Sequence, residues 1–142
     1  MGVLSDLIVA PASAAEAISR SQVPAQEFGG ADIKGIDTIK LACLHAQLTG
    51  DPLEALLPAY DPLVSVSDDG PWVFALPSRF VQQLATLGAP ERAAAGARWA
   101  QAEEFTLDGW ASSEVHGVLE TLCAAARQAQ GAGDALFLWM AL

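Results

Sequence analysis

The chain ends in a run of consecutive apolar residues, Ala135 to Leu142 (ALFLWMAL). A loose segment of this kind would aggregate, because it can pair with the same segment of another copy. Such a run is typical of a strand that is buried on both faces. We therefore expect it in the middle of a sheet. Val3 to Ala10 (VLSDLIVA), a second run rich in Val, Leu and Ile that stops before Pro11, is a candidate neighbour.

Capping residues and helix-ending glycines divide much of the remaining chain into helices. The segment from Gly35 to Gly50 shows the pattern best, since Asp37 can cap the first turn and Gly50 can close the last. Further helices are predicted from Ser13 with Glu16 as a capping box, from Leu53 to Leu57 after Pro52, from Ser78 to Leu87, from Pro90 to about Phe105, and from Ser112 or Ser113.

The last of these helices has the clearest apolar stripe in the chain. Its apolar residues recur at the helical period: Val115, Val118, Leu119, Leu122, Cys123, Ala126 and Ala129. This face is predicted to pack on the core. Cys123 lies within it and Cys43 lies on the apolar central helix, so we expect both to be reduced thiols of the core.

Two shorter runs, Leu63 to Val66 and Trp72 to Leu76, flank the turn sequence Asp68-Asp69-Gly70-Pro71 and predict a hairpin. Residues 21–35 contain Pro24 and the pair Gly29-Gly30, which predicts a loop. The sequence therefore predicts one α+β domain over residues 1–142. Its small mixed sheet would be built from both termini and the central hairpin and covered by five or six helices.

The charge balance restricts the possible partners. Seventeen acidic and seven basic residues give a net charge of −10. Phosphate backbones and anionic membranes would be repelled by such a surface, since both are bound through clustered Lys and Arg. The chain is therefore predicted to bind neither nucleic acid nor membranes. A basic protein, or a metal ion, remains a suitable partner.

The apolar segments do not resemble targeting or membrane segments. No uninterrupted apolar run reaches the roughly 18 residues that a membrane-spanning helix needs. Asp6 interrupts the first apolar stretch, which also lacks the basic start of a signal peptide. We therefore expect a cytoplasmic protein.

One motif is shared with a known family. Asp37 opens the central helix, and Leu44-His45-Ala46-Gln47-Leu48-Thr49-Gly50 closes it with the pattern Leu-His-x-x-Leu-Thr-Gly. The chain resembles the YfbM-like family of small bacterial proteins in this motif and in its Met1-Gly2 start, the pair Pro52-Leu53, the run from Phe74 to Val81 and the closing segment from Glu114 to Leu142. It differs at Leu41, where the family commonly has tryptophan. That family has no established activity, so the resemblance implies an architecture and carries over no catalytic residues.

His45 is the first residue to consider for chemistry, because it lies on an otherwise apolar helix. Its neighbours one turn away are Leu41 and Thr49, so no carboxylate lies beside it along the helix. A core histidine bonded to backbone and a ligand or base in a pocket are both compatible with this position. His116 and Glu120 also lie one turn apart, but two ligands without a Cys-x-x-Cys or His-Glu-x-x-His pattern do not predict a metal site.

Acidic residues gather near the turn that precedes the last helix. Asp108 lies where negative charge interacts favourably with the dipole of that helix. Glu103 and Glu104 are predicted at the unfavourable C-terminal end of the preceding helix. This mismatch slightly favours an acidic contact surface, and plain solvation is the alternative interpretation. Trp110 follows the turn and either packs over the helix junction or anchors an interface. The candidate binding residues are Glu103, Glu104, Asp108, Trp110 and His45.

Two functions of different kinds are consistent with these patterns. No nucleophile motif or phosphate-binding glycine loop is present, and no cofactor is predicted. The first hypothesis is a non-catalytic protein-binding module, of the immunity or inhibitor type, whose acidic surface engages another protein, a basic one. The alternative is a small-molecule-binding or hydrolytic domain with a pocket around His45 and a hairpin aspartate. Edge-to-edge pairing of the terminal strand would also allow a homodimer.

Overall fold

The computed structural model describes residues 3–142, and Met1-Gly2, where the family resemblance begins, lies outside them. Five strands form one sheet: β1 Leu4–Ala10, β2 Gly30–Asp32, β3 Val64–Ser65, β4 Trp72–Ala75 and β5 Ala135–Ala141. Their spatial order is β2-β1-β5-β4-β3, and every neighbouring pair is antiparallel. The α+β class is confirmed, whereas the sheet is antiparallel rather than mixed.

The C-terminal strand lies at the centre of the sheet, as its composition predicts. β5 pairs with β1 along its whole length, from Leu4 opposite Ala141 to Ala10 opposite Ala135, and its other edge pairs with β4. Both edges of β5 are therefore occupied within the chain, so the terminal strand is not available for pairing between copies. The free edges of the sheet belong to the three-residue strand β2 and the two-residue strand β3.

Eight helices surround the sheet in the described residues, rather than five or six. They are α1 Ala15–Arg20, α2 Pro24–Phe28, α3 Thr38–Thr49, α4 Leu53–Leu56, α5 Ser78–Thr86, α6 Ala89–Trp99, α7 Glu103–Leu107 and α8 Ser112–Ala132. A short 3-10 helix, Leu57–Tyr60, follows α4. None of the described helices combines the length and the apolar character needed to cross a membrane.

The prediction of a loop over residues 21–35 is wrong, because this segment contains α2 and β2. Gly29 and Gly30 have positive φ angles of 106° and 145°, and Gly30 pairs with Ile8 of β1. Only glycine enters such backbone conformations without strain, so the pair lets the chain turn out of α2 directly into the sheet.

Two predicted helix ends are confirmed and several predicted caps are wrong. The Asp37 carboxylate accepts a hydrogen bond from the backbone N–H of Lys40 at 2.8 Å, and α3 ends at Gly50 in the left-handed conformation. No serine side chain caps α1, α5 or α8, which follow Ala14, Pro77 and Ala111. At α8 the Glu114 carboxylate instead accepts from the N–H of Ala111 at 3.0 Å.

The predicted single helix from Pro90 to Phe105 is also wrong. α6 ends at Trp99 and α7 starts at Glu103, so Glu103 and Glu104 occupy the first turn of a new helix. That end of a helix carries partial positive charge. The two carboxylates are therefore favourably placed, which reverses the prediction that they lie at an unfavourable helix end.

The two faces of the sheet are covered unequally. On the larger face, β1 and β5 residues such as Leu7 and Leu138 join a broad core with the apolar stripe of α8, where Val115, Leu119, Leu122, Cys123, Ala126 and Ala129 are buried. On the smaller face, Ile8 and Phe137 pack in a smaller cluster with buried Ala10, Val73 and Ile18 of α1, and with partly buried residues of α1, α2 and the neighbouring strands. This face is left partly open at the end of β1 near Leu4.

Candidate functional site

α7 packs across the N-terminal half of α3, and Asp108, directly after α7, reaches Lys40. The Lys40 side chain is only 2% exposed, and its Nζ lies 2.6 Å from Asp108 Oδ2 and 3.6 Å from Asp37 Oδ2. The Phe105 ring centroid lies 5.7 Å from the same nitrogen. A buried ammonium needs counter-charges of this kind, because unpaired burial is costly. Asp108 therefore has a structural role as the ion-pair partner of Lys40.

Glu104 faces the same part of α3. Its Oε1 accepts a hydrogen bond from Cys43 Sγ at 3.4 Å. Burial, together with the hydrogen bond and charge of Glu104, raises the pKa of Cys43 to about 11. Burial likewise raises the pKa of Cys123 to about 11. Both thiols are free and stay protonated near neutral pH, which makes them poor nucleophiles.

Trp110 packs over the junction between α7 and the loop before α3. Its ring meets Phe105 edge to face at 5.1 Å between centroids. A Cβ atom placed on Gly35 would lie 2.9 Å from the Trp110 ring, so the ring covers this glycine closely. Among the predicted acidic-surface residues, Glu103 is exposed and its side chain forms no hydrogen bond or ion pair with the rest of residues 3–142. We call Asp37, Lys40, Glu103, Glu104 and Asp108 the α3–α7 cluster.

His45 lies in the core. It is 3% exposed, its ring stacks on Phe80 at 4.7 Å, and its Nδ1 lies 2.9 Å from the Tyr60 hydroxyl. Burial raises the pKa of Tyr60, so this hydroxyl stays protonated and can donate to Nδ1. A ligand could reach His45 only by displacing these rings. The structure thus gives no support to a pocket around His45, and the partner of the ring is a side chain rather than backbone.

We expect the stability of the fold to fall on mild acidification because of His45. Burial lowers the pKa of His45 from its ordinary value of 6.5, more strongly than Asp51 raises it. The unfolded chain therefore binds a proton near pH 6.5 while the folded chain resists it, and the free energy of unfolding decreases as pH falls below about 6.5. Urea unfolding between about pH 7.5 and about pH 5 measures this slope.

The control for this prediction is the His45→Gln variant, which should lose that part of the pH dependence whatever its absolute stability. NMR titration of the His45 ring gives a direct second measurement. A midpoint at or above 6.5 would show that burial does not dominate the protonation of this imidazole.

His116 and Glu120 do not act as a pair. Glu120 Oε2 accepts from Arg92 Nε at 2.8 Å, whereas the His116 ring covers Gly96 where α6 and α8 approach each other. Within residues 3–142, no group of three or more His, Cys, Asp and Glu side chains is arranged to hold a metal ion.

The smaller face of the sheet carries a groove that was not predicted from the sequence. It has a volume of about 340 Å³ and lies between the open end of β1 and the start of α2. We call it the small-face groove, and its wall includes Leu4, Asp6, Val23, Gln26, Asp32 and Trp139. Three of these residues form one row across the sheet, because Asp6 lies directly opposite Asp32 in β2 and opposite Trp139 in β5.

The register makes Asp6 and Asp32 direct cross-strand neighbours. Ile33 N donates to Ser5 O at 2.9 Å, which makes Ser5 and Ile33 a hydrogen-bonded pair. Hydrogen-bonded and non-hydrogen-bonded pairs alternate along an antiparallel ladder, so the next pair, Asp6 and Asp32, is non-hydrogen-bonded. Side chains in such pairs approach more closely, and like charges directly opposite are destabilising. Burial and then the charge of Asp32 raise the pKa of Asp6.

No family model, curated protein or solved structure matches this chain. The resemblance to the YfbM-like family therefore stays a prediction, and the α3–α7 cluster and the small-face groove are interpreted from their own geometry.

The groove combines its charges with apolar surface. Leu4 and Val23 are 48% and 52% exposed, and both line it. The Trp139 indole N–H is buried and has no acceptor in the described residues, which is a rare state for a buried donor. An open wall with apolar, aromatic and anionic parts is suited to an amphipathic cation.

One signal in the sequence could have indicated this groove. Asp6 lies inside an otherwise apolar strand, and a charged residue at such a position is either paired or functional. In the sequence alone, Asp6 argues against a signal peptide and has no visible partner. Asp32 lies in the segment predicted as a loop, so its pairing with β1 had no basis in the sequence.

Proposed function

We propose that this chain is a non-catalytic protein-binding module of the bacterial cytoplasm. It engages a basic protein through its acidic surface, in the manner of an immunity or inhibitor protein. Membership of the YfbM-like family is part of the same proposal, and it agrees with the absence of a recognised catalytic motif in the sequence. The observation that carries the proposal is the distribution of charge on the folded chain.

Most of the basic side chains are already neutralised within the molecule. Arg20 pairs with Glu16, Lys40 with Asp37 and Asp108, Arg79 with Asp51, and Arg92 with Glu120. Five of the seventeen carboxylates form these pairs in the described residues, which leaves twelve against Lys34, Arg98 and Arg127. Such an excess attracts a basic partner and accelerates association at low ionic strength.

The α3–α7 cluster is the part of this surface that we assign to the partner. It contains four carboxylates and a single ammonium, so the cluster keeps a net negative charge after the Lys40 ion pairs are formed. Asp108 is 55% exposed, and Glu103 is exposed and forms no side-chain hydrogen bond or ion pair in the described residues, which leaves both able to contact a second protein. Two neighbouring residues are held by internal contacts of this surface: Glu104 accepts a hydrogen bond from Cys43, and Trp110 packs edge to face on Phe105.

The experiment starts with the immobilised chain in a bacterial lysate at low and at high salt, followed by affinity measurements with the purified partner. We expect capture at about 50 mM salt and loss at about 500 mM, because exposed charges are screened at the higher concentration. The Glu103→Lys variant should bind the purified partner roughly tenfold more weakly, which corresponds to about 1.4 kcal/mol.

The matched control is Glu54→Lys. Glu54 and Glu103 are both exposed and both lie in the first turn of a short helix, but Glu54 belongs to α4, after the opposite end of α3. The two variants therefore change net charge and helix-dipole interactions equally. Equal affinities of the two variants would argue against the α3–α7 cluster, and a partner that binds independently of salt would argue against the acidic-surface proposal altogether.

A further inference from the structure

We infer that the small-face groove binds the guanidinium group of an arginine side chain. This inference rests on the proposed function in one respect: the basic partner protein would supply the arginine. The inference rests on three features that meet in the groove: a close pair of carboxylates, an exposed apolar rim and an aromatic wall.

The first feature is the opposition of Asp6 and Asp32. Their non-hydrogen-bonded register brings two carboxylates side by side at the open end of the sheet. No basic side chain of the described residues forms an ion pair with either carboxylate. Asp32 Oδ1 accepts only a backbone hydrogen bond, from Lys34 N at 2.8 Å, and its charge remains uncompensated. A cation between the two carboxylates would replace their repulsion by two attractions.

The second feature selects an organic cation rather than a hydrated metal ion. Leu4 and Val23 are about half exposed at the rim of the groove, and Ala25 lines it with them. Apolar walls of this kind contact the methylene stem of a long basic side chain while its head reaches the carboxylates. Calcium would need more oxygen ligands than two aspartates supply, and a hydrated magnesium ion would gain nothing from the apolar rim.

The third feature favours arginine over lysine. Trp139 lies directly opposite Asp6 on the same face, so an aromatic ring and two carboxylates bound one space. A guanidinium is planar, stacks on aromatic rings and offers five N–H donors, which can serve two carboxylates at once.

The test compares two probes of nearly the same shape: N-acetyl-arginine methylamide and N-acetyl-citrulline methylamide, in which a neutral urea replaces the charged guanidinium and its full set of N–H donors. Each is titrated into the full chain while amide and indole NMR signals are followed. The arginine probe should shift the signals of Asp6, Asp32 and Trp139 saturably, with a Kd of about 1–10 mM for a single open ion-pair site. The citrulline probe should bind at least about tenfold more weakly.

Asp6→Asn should abolish this difference between the probes, and Asp61→Asn, an exposed aspartate outside the groove, should preserve it. The Asn variant removes a repulsive charge, so it should unfold at a denaturant concentration no lower than the wild type. Because the two probes are also compared on the wild-type chain, the inference can be tested even if a variant folds poorly.

Three outcomes would overturn the inference. They are equal binding of both probes, the absence of shifts in the groove at tens of millimolar probe, and shifts of the same signals by MgCl₂ at lower concentration than by the arginine probe. None of these depends on a captured partner, so they are distinct from a failure of the proposed function. If the probe binds, reduced affinity of the captured partner for Asp6→Asn identifies that partner as the source of the arginine, and unchanged affinity excludes it.

Discussion

Replacing Gly30 by alanine is expected to lower the free energy of unfolding by about 3 kcal/mol or more and to detach β2 from β1. Gly30 has a φ of 145°, which side-chain-bearing residues rarely adopt. A Cβ atom there would also overlap the carbonyl oxygen of Leu7, a backbone atom held in the central part of the sheet. Neither strand can move away without breaking the β1–β2 hydrogen bonds. Urea unfolding of the variant and the wild type measures the loss.

The neighbouring glycine provides a matched control. Gly29 also has a positive φ, 106°, but a Cβ atom placed there meets no other atom within 4 Å. Gly29→Ala therefore adds backbone strain without overlap and should cost only about 1–2 kcal/mol. If the two variants lost the same stability, the overlap with Leu7 would not be the cause. Gly30→Ala should also remove arginine-probe binding, since β2 carries Asp32.

Removing both negative partners of Lys40 is expected to destabilise the fold by about 2–3 kcal/mol, and removing Lys40 itself by much less. The Lys40 side chain is 2% exposed, so water cannot hydrate its ammonium group when the two carboxylates are removed. Asp37 and Asp108 are 31% and 55% exposed and can be hydrated when Lys40 is absent. The relevant variants are Asp37→Asn with Asp108→Asn, and Lys40→Met. Asparagine keeps the acceptor with which Asp37 caps α3.

A double-mutant cycle measures this asymmetry. Adding Lys40→Met to the asparagine pair should restore most of the lost stability, because the stranded ammonium is then gone. Glu103→Gln, a change in the same cluster without a contact to Lys40 in the described residues, should have an effect within about 0.5 kcal/mol. If Lys40→Met alone were as damaging as the asparagine pair, packing of the lysine stem rather than its charge would dominate at this position.

The elements predicted correctly are those whose structure depends on residues close together in the chain. An apolar run of eight residues is typical of a strand in the middle of a sheet, where both edges are paired and both faces are covered, and β5 lies between β1 and β4. Asp37 caps α3 through its own carboxylate and Gly50 ends it through its own left-handed backbone conformation. Both helix ends depend on local interactions only, and both are confirmed. The apolar stripe of α8 is buried because its period places those residues on one face.

The missed elements depend on contacts from distant parts of the chain. Ala100 and Ala102 are compatible with a continuing helix, so nothing local indicated the break between α6 and α7. The break turns α7 so that Phe105 packs edge to face on Trp99 at 5.0 Å and Asp108 reaches Lys40. β2 was missed because Gly29 and Gly30 are typical of turns, and only the partner strand shows that they enter a sheet.

The same distinction applies to the two candidate sites. Net charge is a property of composition, so the acidic character of the surface follows from the amino-acid sequence alone. The sequence alone does not show that α3 and the loop before it are contacted by Asp108, Glu104 and Trp110. Their partners Lys40, Cys43 and Gly35 lie far away in the chain. In the sequence, His45 is a polar residue on an otherwise apolar helix and so a candidate for chemistry. The structure places it between Phe80 and Tyr60.

By itself, the sequence determined the α+β class, the central position of the last strand, the ends of the central helix and the acidic surface. These features follow from composition and from interactions between residues that are neighbours in the chain. Only the tertiary structure decided that Asp6, Asp32 and Trp139 form one row, because their meeting depends on the register of three strands. Register is chosen by the packing of the whole sheet, so a groove built on it becomes visible only in the folded chain.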